Sequence, residues 1–438
     1  MAFRTFEDVV ISRRSVFKGG AYLAAGSALA TLPFGTALLA HNGREQWPTV
    51  ARMVDKYVGE RKVPNAVASF GWGDQHPNLV KRGQLAFGSS VEADSDSLYR
   101  LYSMTKPVTG MATMMLIEDG ALTLDQPVAE ILPAFANMQV LKRADGPLED
   151  TVPAEQPITI RHLLTHTAGL GYDIISKGPL LDKIRELGIT SGQVSRIPIP
   201  GFPVVESAVG LEQWSDRLAT LPLIAQPGAL WSYSASIDLL GRVIEVASGQ
   251  PFDAFLKERI FDPCGMDSTY FQVPASEISR LTANYGILAG MPLPVDQANS
   301  SIFLDKPPLI WGGSGLVASP RDYDRFQSML VNLGMSDGRR VMSEAAVRLG
   351  TSNILPEGAV VNSAWTGGQS FGAGGRSAGG VYGWGGAAGT LSSIDMNTKL
   401  RAGLYVQYMP SEAFPIRDEF IAAVLQDAQA LQAATESA

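Results

Sequence analysis

The stretch that most constrains this chain is Leu101 to Gly120, LYSMTKPVTGMATMMLIEDG. It opens on Ser103-Met104-Thr105-Lys106 and continues through a run rich in Val, Met, Ala and Leu, closed by Asp119-Gly120. A glycine directly after the last apolar residue is a helix stop. The pattern predicts a buried helix with Ser103 at its front edge. Ser103 and Lys106, three residues apart, then share one face. Pro107 fits only in the first turn, where its missing N–H is not needed.

That spacing suits nucleophilic chemistry. A serine hydroxyl is a weak nucleophile until an adjacent base takes its proton. Lysine can be that base where burial and the positive end of a helix lower its pKa. The same helix start offers free N–H groups to an oxyanion. The spacing alone is weak, since ordinary composition produces it by chance about once or twice in a chain of this length. Ser15-Val16-Phe17-Lys18 fits it too. A helix cap with a solvated lysine explains Ser103 and Lys106 equally well, and their partners downstream must decide.

The 438 residues are 45% hydrophobic and 18% charged, enough for one large two-part domain or two smaller ones with a sizeable core. The net charge of −8 without a basic patch argues against a nucleic-acid partner. Cys264 is the one cysteine, so no internal disulfide can form.

The N-terminus reads as a targeting segment. Ser12-Arg13-Arg14-Ser15-Val16-Phe17-Lys18 has the form of a twin-arginine export signal. The following GGAYLAAGSALATLPFGTALLA is only mildly apolar and contains Gly, Ser and Pro, as a signal does and a spanning helix does not. Residues 1–40 are therefore expected to be a signal read by the twin-arginine export machinery. Cleavage after Ala30, Ala37 or Ala40 would leave a periplasmic or secreted protein with no stable membrane insertion.

Along the rest of the chain, residues 47–61 show helical periodicity through Trp47, Val50, Met53, Val54 and Val58. AVASFGWGD and NLVKRGQLAFG read as an antiparallel hairpin around Asp74–Pro77. Thr123 to Pro127 look like the start of a helix over 123–135. ITIRHLLTHTAGL, 158–170, reads as a short helix capped by Thr159 and stopped by Gly169. Residues 171–225 are irregular around one possible helix at 180–187, and long irregular segments are commonly functional loops. They are expected to wall a substrate pocket. Tyr233 stands just ahead of an amphipathic helix, Ile237 to Ala247, ended by Gly249. Residues 312–334 give a Gly-rich turn and a helix starting near Ser319-Pro320. Strand-like GVYGWGGAAGTLSSID and LRAGLYVQYM follow, joined by a turn near Asn397, and a final helix runs from about Ile416 to Ala433.

Two other constellations compete with Ser103. His162 and His166 lie four apart, but the glutamate of a metalloprotease motif is absent between them and no suitable Cys pair is near. They read as a structural helix and turn, with no metal and no cofactor implied. Ser370 in GQSFG and Ser377 in GRSAG both fit the G-x-S-x-G elbow of α/β-hydrolases, whose order is serine, acid, histidine. No histidine follows His166, so neither serine completes that triad.

Three segments in order carry a resemblance. Ser103 to Lys106 gives Ser-x-x-Lys, Tyr233-Ser234-Ala235 gives a tyrosine element, and Trp384-Gly385-Gly386 gives a third element. With HLLTHTAGL, QPGALWSYS and GGSGLVASPRDY, these make the sequence similar to the serine β-lactamase and penicillin-binding superfamily over most of 47–430. The nearest branch is the class C-like family VIII carboxylesterases. The resemblance implies a β-lactamase-like α/β (α+β) fold. An antiparallel sheet flanked by helices would form from about 45–97 and 305–438, a helical domain from about 98–304, and the active site would lie between them. It implies Ser103 as nucleophile, Lys106 and Tyr233 as base system, an oxyanion hole from the N–H groups of Ser103 and Ala387, and substrate contacts at Trp384, Gly385 and Gly386. The chain departs from class C β-lactamases twice. Ala235 replaces an Asn, and Trp384 replaces the lysine of Lys-Thr-Gly. Losing the cation that attracts a β-lactam carboxylate favours small neutral esters as substrates. A nearby arginine such as Arg376 is a candidate to replace it. The alternatives on the same scaffold are a β-lactamase, a D-amino-acid peptidase or an acyltransferase.

Overall fold

The structure, a computed structural model, describes residues 43–199, 205–363 and 366–436. The export signal expected at residues 1–40 lies outside the described residues.

Helix α1 (Pro48–Gly59) buries Val50, Ala51, Met53, Val54 and Tyr57 on one side. Strands β1 (Asn65–Trp72) and β2 (Asn78–Gly83) form the hairpin around Asp74–Pro77. The middle of the chain supplies α2 (Thr105–Glu118), α3 (Ile160–Leu164), α4 (Gly178–Glu186), α5 (Gly210–Ala219) and α6 (Ser236–Ser248). It also supplies a hairpin of β3 (Asn284–Leu288) and β4 (Met291–Asp296). The C-terminal part runs α7 (Pro320–Val331), α8 (Glu344–Thr351), β5 (Arg376–Ala378), β6 (Val381–Gly385), β7 (Leu391–Asp395), β8 (Leu400–Tyr405) and α9 (Ile416–Glu436).

The two ends of the chain build one six-stranded antiparallel sheet in the order β5-β6-β7-β8-β1-β2. All eight residues of β1 are buried, because the sheet is covered on both faces. Alternate residues of a strand point to opposite faces. Ala66, Ala68, Phe70 and Trp72 join α1 and α9 in one core, where Trp47 stacks on Phe70 with ring centroids 4.4 Å apart. Val67 joins the opposite core with Tyr323 and Phe326 of α7 and the methionines of α2. The Gln327 amide of α7 donates to Ser392 Oγ and to Ala402 O, both at 2.9 Å, which ties the helix to the sheet.

Helix α2 is the centre of this second core, and every residue from Thr105 to Leu116 is buried. It packs against α6 and α8. Gly110 permits its approach to the 373 segment, since a Cβ there would stand 2.2 Å from Ala373 O.

Several local expectations change. Residues 123–135 form two short 3₁₀ turns, Val128–Glu130 and Pro133–Phe135, because each follows or begins at a proline that interrupts the helical ladder. Helix α3 is capped by Thr159 as expected. It ends at Leu164 rather than near Gly169, because His166 turns the chain with φ of +56°. The segment 171–225 holds a second helix, α5, which buries Leu211, Trp214 and Leu218. The middle region is not purely helical, since β3 pairs in parallel with Tyr408–Met409. Among the described residues no helix is long and apolar enough to cross a membrane.

Candidate active site

Ser103 stands in a 3₁₀ turn, Tyr102–Met104, immediately before α2. The α-helix itself opens at Thr105, two residues later than the sequence suggests, and Pro107 falls in its first turn. Tyr102 has φ of +46°, an uncommon conformation for a bulky side chain. The Asn284 amide donates to its hydroxyl at 3.3 Å, and Phe303 meets its ring edge-on. Tyr323 donates to Met104 O at 2.8 Å. The turn that presents the serine is thus held from three elements.

Two side chains converge on Ser103. The Tyr233 hydroxyl donates to Ser103 Oγ at 2.7 Å, and Lys106 Nζ lies 3.4 Å from the same oxygen. Lys106 is fully buried and its Nζ stands 4.6 Å from the Tyr233 ring centroid. It is no solvated lysine beside a cap, because its ammonium also donates to Gly313 O at 2.8 Å.

Gly313 belongs to the Gly-rich turn before α7, and the structure shows why glycine stands there. Its N–H donates to Asp238 Oδ1 at 2.7 Å, and a Cβ would lie 2.7 Å from Asp238 Oδ2. Asp238, in the first turn of α6, is fully buried and also accepts from the Tyr172 hydroxyl at 3.3 Å. Burial pushes its carboxyl up to about 6, against the pull of Lys106. A buried carboxylate is retained at a cost unless a cation and hydrogen bonds compensate, and Lys106 and the Gly313 N–H offset only part of that cost here. Sequence reasoning passed over Asp238. Its signal was an acid among Ile237, Leu239 and Leu240 at the start of an apolar helix.

The third element runs along β6. Trp384 is buried, with its ring 5.9 Å from that of Tyr233 and 5.3 Å from Phe371. It forms an aromatic wall beside the tyrosine. Gly386 lies against the serine turn, and a Cβ there would stand 2.1 Å from Leu101 O. Its N–H donates to Thr390 O at 2.9 Å, and Arg417 donates to its carbonyl. Gly385 leaves room for the same guanidinium. Among the described residues nothing accepts the Ala387 N–H. Arg376 does not take over from the missing lysine. It pairs with Gly383, so it projects from the face opposite Trp384.

Ser377 and His162, from the competing constellations, are engaged elsewhere. Ser377 is buried and its hydroxyl donates to Thr351 O at 2.6 Å. His162 Nδ1 accepts the Thr159 N–H at 3.2 Å, completing the cap of its own helix. Among the described residues no group of three or more His, Cys, Asp or Glu gathers to hold a metal ion.

A serine in the turn before a buried helix, a lysine three residues on and a tyrosine from the irregular segment ahead of α6 meet beside an antiparallel sheet, an arrangement that fits a serine hydrolase of the β-lactamase fold. Whole-chain comparison agrees. The family model described as Beta-lactamase matches residues 50–426, and the chain belongs to that family. It is 32% identical over 360 residues to Protein Rv1367c of Mycobacterium tuberculosis, covering 77% of this chain and 84% of that one. It is 34% identical over 245 residues to Esterase EstB of Burkholderia gladioli, covering 55% and 54%. The solved structure of EstCE1, a hydrolase with promiscuous acyltransferase activity, superposes with a TM-score of 0.69 at 24% identity, over 87% of this chain and 99% of that one.

Proposed function

We propose that this protein cleaves small carboxylic esters through an acyl-enzyme on Ser103. The observation that carries the reading is the pair of contacts on one oxygen, Tyr233 OH at 2.7 Å and Lys106 Nζ at 3.4 Å from Ser103 Oγ. As Oγ attacks the ester carbonyl, its proton passes into the Lys106 and Tyr233 pair. The tetrahedral oxyanion is received by the N–H groups of Ser103 and Ala387. The C–O bond then breaks and the alcohol leaves with the proton. Water, activated by the same pair, attacks the acyl-enzyme and releases the acid and free Ser103. Trp384 offers apolar area and one N–H where a cation would hold a β-lactam carboxylate, so a neutral acyl group loses nothing there. The EstB relationship supports the same class of substrate.

The test is the ratio of kcat/KM for p-nitrophenyl acetate or butyrate to that for a chromogenic cephalosporin, measured with and without an added alcohol acceptor. The ester is expected to win and water to be the main acceptor. A better cephalosporin rate means a β-lactamase with an unusual third element. Dominant ester product in the presence of alcohol means an acyltransferase.

The twin-arginine pattern at Ser12–Lys18 supports export of the folded chain to the periplasm or beyond. The mature protein would begin between about residue 31 and 41. N-terminal sequencing of the periplasmic fraction checks this, and intact Met1 there would refute it.

A further inference from the structure

We infer that His166 is the positioning residue for Tyr233, gripping the chain on both sides of it so that its hydroxyl stays on Ser103. The inference rests on Tyr233 belonging to the base system. Tyr233 stands in a segment without regular structure, between Leu230, which bridges to Val360, and the start of α6 at Ser236. Such a segment needs outside contacts to fix a hydroxyl to hydrogen-bonding precision.

His166 supplies them from the turn after α3. Its carbonyl accepts the Ser232 N–H at 2.9 Å. Its ring Nδ1 accepts the Ser234 N–H at 3.2 Å and lies 3.0 Å from Ser234 Oγ. Ser234 Oγ in turn lies 2.7 Å from Ser236 Oγ, linking the clamp to the first residue of α6. The imidazole also packs on Tyr233, ring centroid to ring centroid 4.9 Å. One residue therefore holds positions 232, 233 and 234.

The geometry fixes the tautomer. Because Nδ1 accepts an N–H, the ring proton of the neutral imidazole sits on Nε2. Nε2 is buried and has no hydrogen-bond partner among the described residues. Burial, and then the Lys106 charge, hold the imidazole well below its ordinary pKa, which keeps Nδ1 an acceptor. His166 thus combines an orphaned buried donor with a left-handed backbone, two unfavourable features in one residue beside a reacting group. Strain of this kind persists where surrounding structure and function require it.

The test compares His166→Phe, which keeps a ring but loses the acceptor, with His166→Asn, which keeps a short acceptor and tolerates positive φ. Both are made in the native chain and in Tyr233→Phe, with the melting temperature followed throughout. His166→Phe is expected to lower kcat by ~10- to 100-fold with KM within ~3-fold, as for a misplaced catalytic group. His166→Asn should recover most of it. In the Tyr233→Phe background, His166→Phe should change kcat by less than ~3-fold, because the group it positions is gone. An equal loss in both backgrounds, or full activity of His166→Phe in the native chain, would overturn the inference. If His166→Phe does not fold, His166→Gln, whose acceptor is displaced by one carbon, takes its place with the same expectations. Activity of Tyr233→Phe equal to the native chain would remove the base-system reading itself, a different outcome. Where no ester is turned over at all, the rate of Ser103 labelling by a fluorophosphonate serves as the readout.

Discussion

Replacing Asp238 by Asn should make the protein more stable and less active, and the size of the first effect follows from its burial. Asp238 is fully buried, and its carboxyl is raised from 3.8 to about 6. Between those values the folded chain holds a proton that the unfolded chain has released. The stability from this group therefore falls as pH rises through that window. A displacement of about two units is worth about 3 kcal/mol once the carboxylate is ionised in both states. Asparagine cannot ionise, yet its amide oxygen can still accept the Gly313 N–H. Asp238→Asn should therefore match the native chain near about pH 4 and exceed it by up to about 3 kcal/mol near about pH 8. Urea unfolding of both proteins across this range measures the difference. The comparison cancels Asp173, Asp322 and Asp324, whose carboxyls burial also raises. Activity should move the other way. Lys106 loses the charge of a buried carboxylate that acts on it through space, and a loss of about 1.4–2.7 kcal/mol of transition-state stabilisation corresponds to roughly 10- to 100-fold in rate. A variant less stable than the native chain near pH 8, or a difference that does not vary with pH, would refute this reasoning.

Lys106→Ala and Tyr233→Phe should each reduce ester turnover severely, and the double variant should be little worse than either, since groups that move one proton as a unit are non-additive. Steady-state kinetics of the four proteins decides it, and native-like turnover of Tyr233→Phe would remove the tyrosine from the mechanism. Gly386→Ala places a methyl 2.1 Å from Leu101 O, so β6 must move away from the serine turn. A kcat loss of ~100-fold is expected from a displacement on the ångström scale, read alongside the melting temperature.

The chain's local periodicities and punctuation were legible, and its long-range contacts were not. Gly249 ends α6 in a left-handed conformation and Ser319 caps α7 through the Asp322 N–H, both as their residue types suggest. Ser103, Lys106 and Tyr233 come together as the three-segment resemblance implies, although 130 residues separate serine from tyrosine. Trp384 lands beside Tyr233 for the same reason. Helix α5 was obscured by the Gly- and Pro-rich residues around it, although Leu211, Trp214 and Leu218 keep helical spacing. Residues 123–135 looked helical because a local start signal says nothing of the two prolines' effect on packing. Asp238 and His166 could not be assigned from spacing. Their roles depend on Gly313 and on the 232–234 backbone, which only the folded chain brings to them.

The most direct measurement is the site of covalent modification. The protein is treated with an alkyl fluorophosphonate, digested, and mapped by mass spectrometry, with Ser103→Ala, Ser370→Ala and Ser377→Ala in parallel. One adduct is expected, on the peptide containing Ser103. It should be absent in Ser103→Ala, whose ester turnover falls by several orders of magnitude, and present in the other two variants, which stay active. An adduct within residues 368–379, or full turnover by Ser103→Ala, would contradict the assignment of Ser103 as the nucleophile.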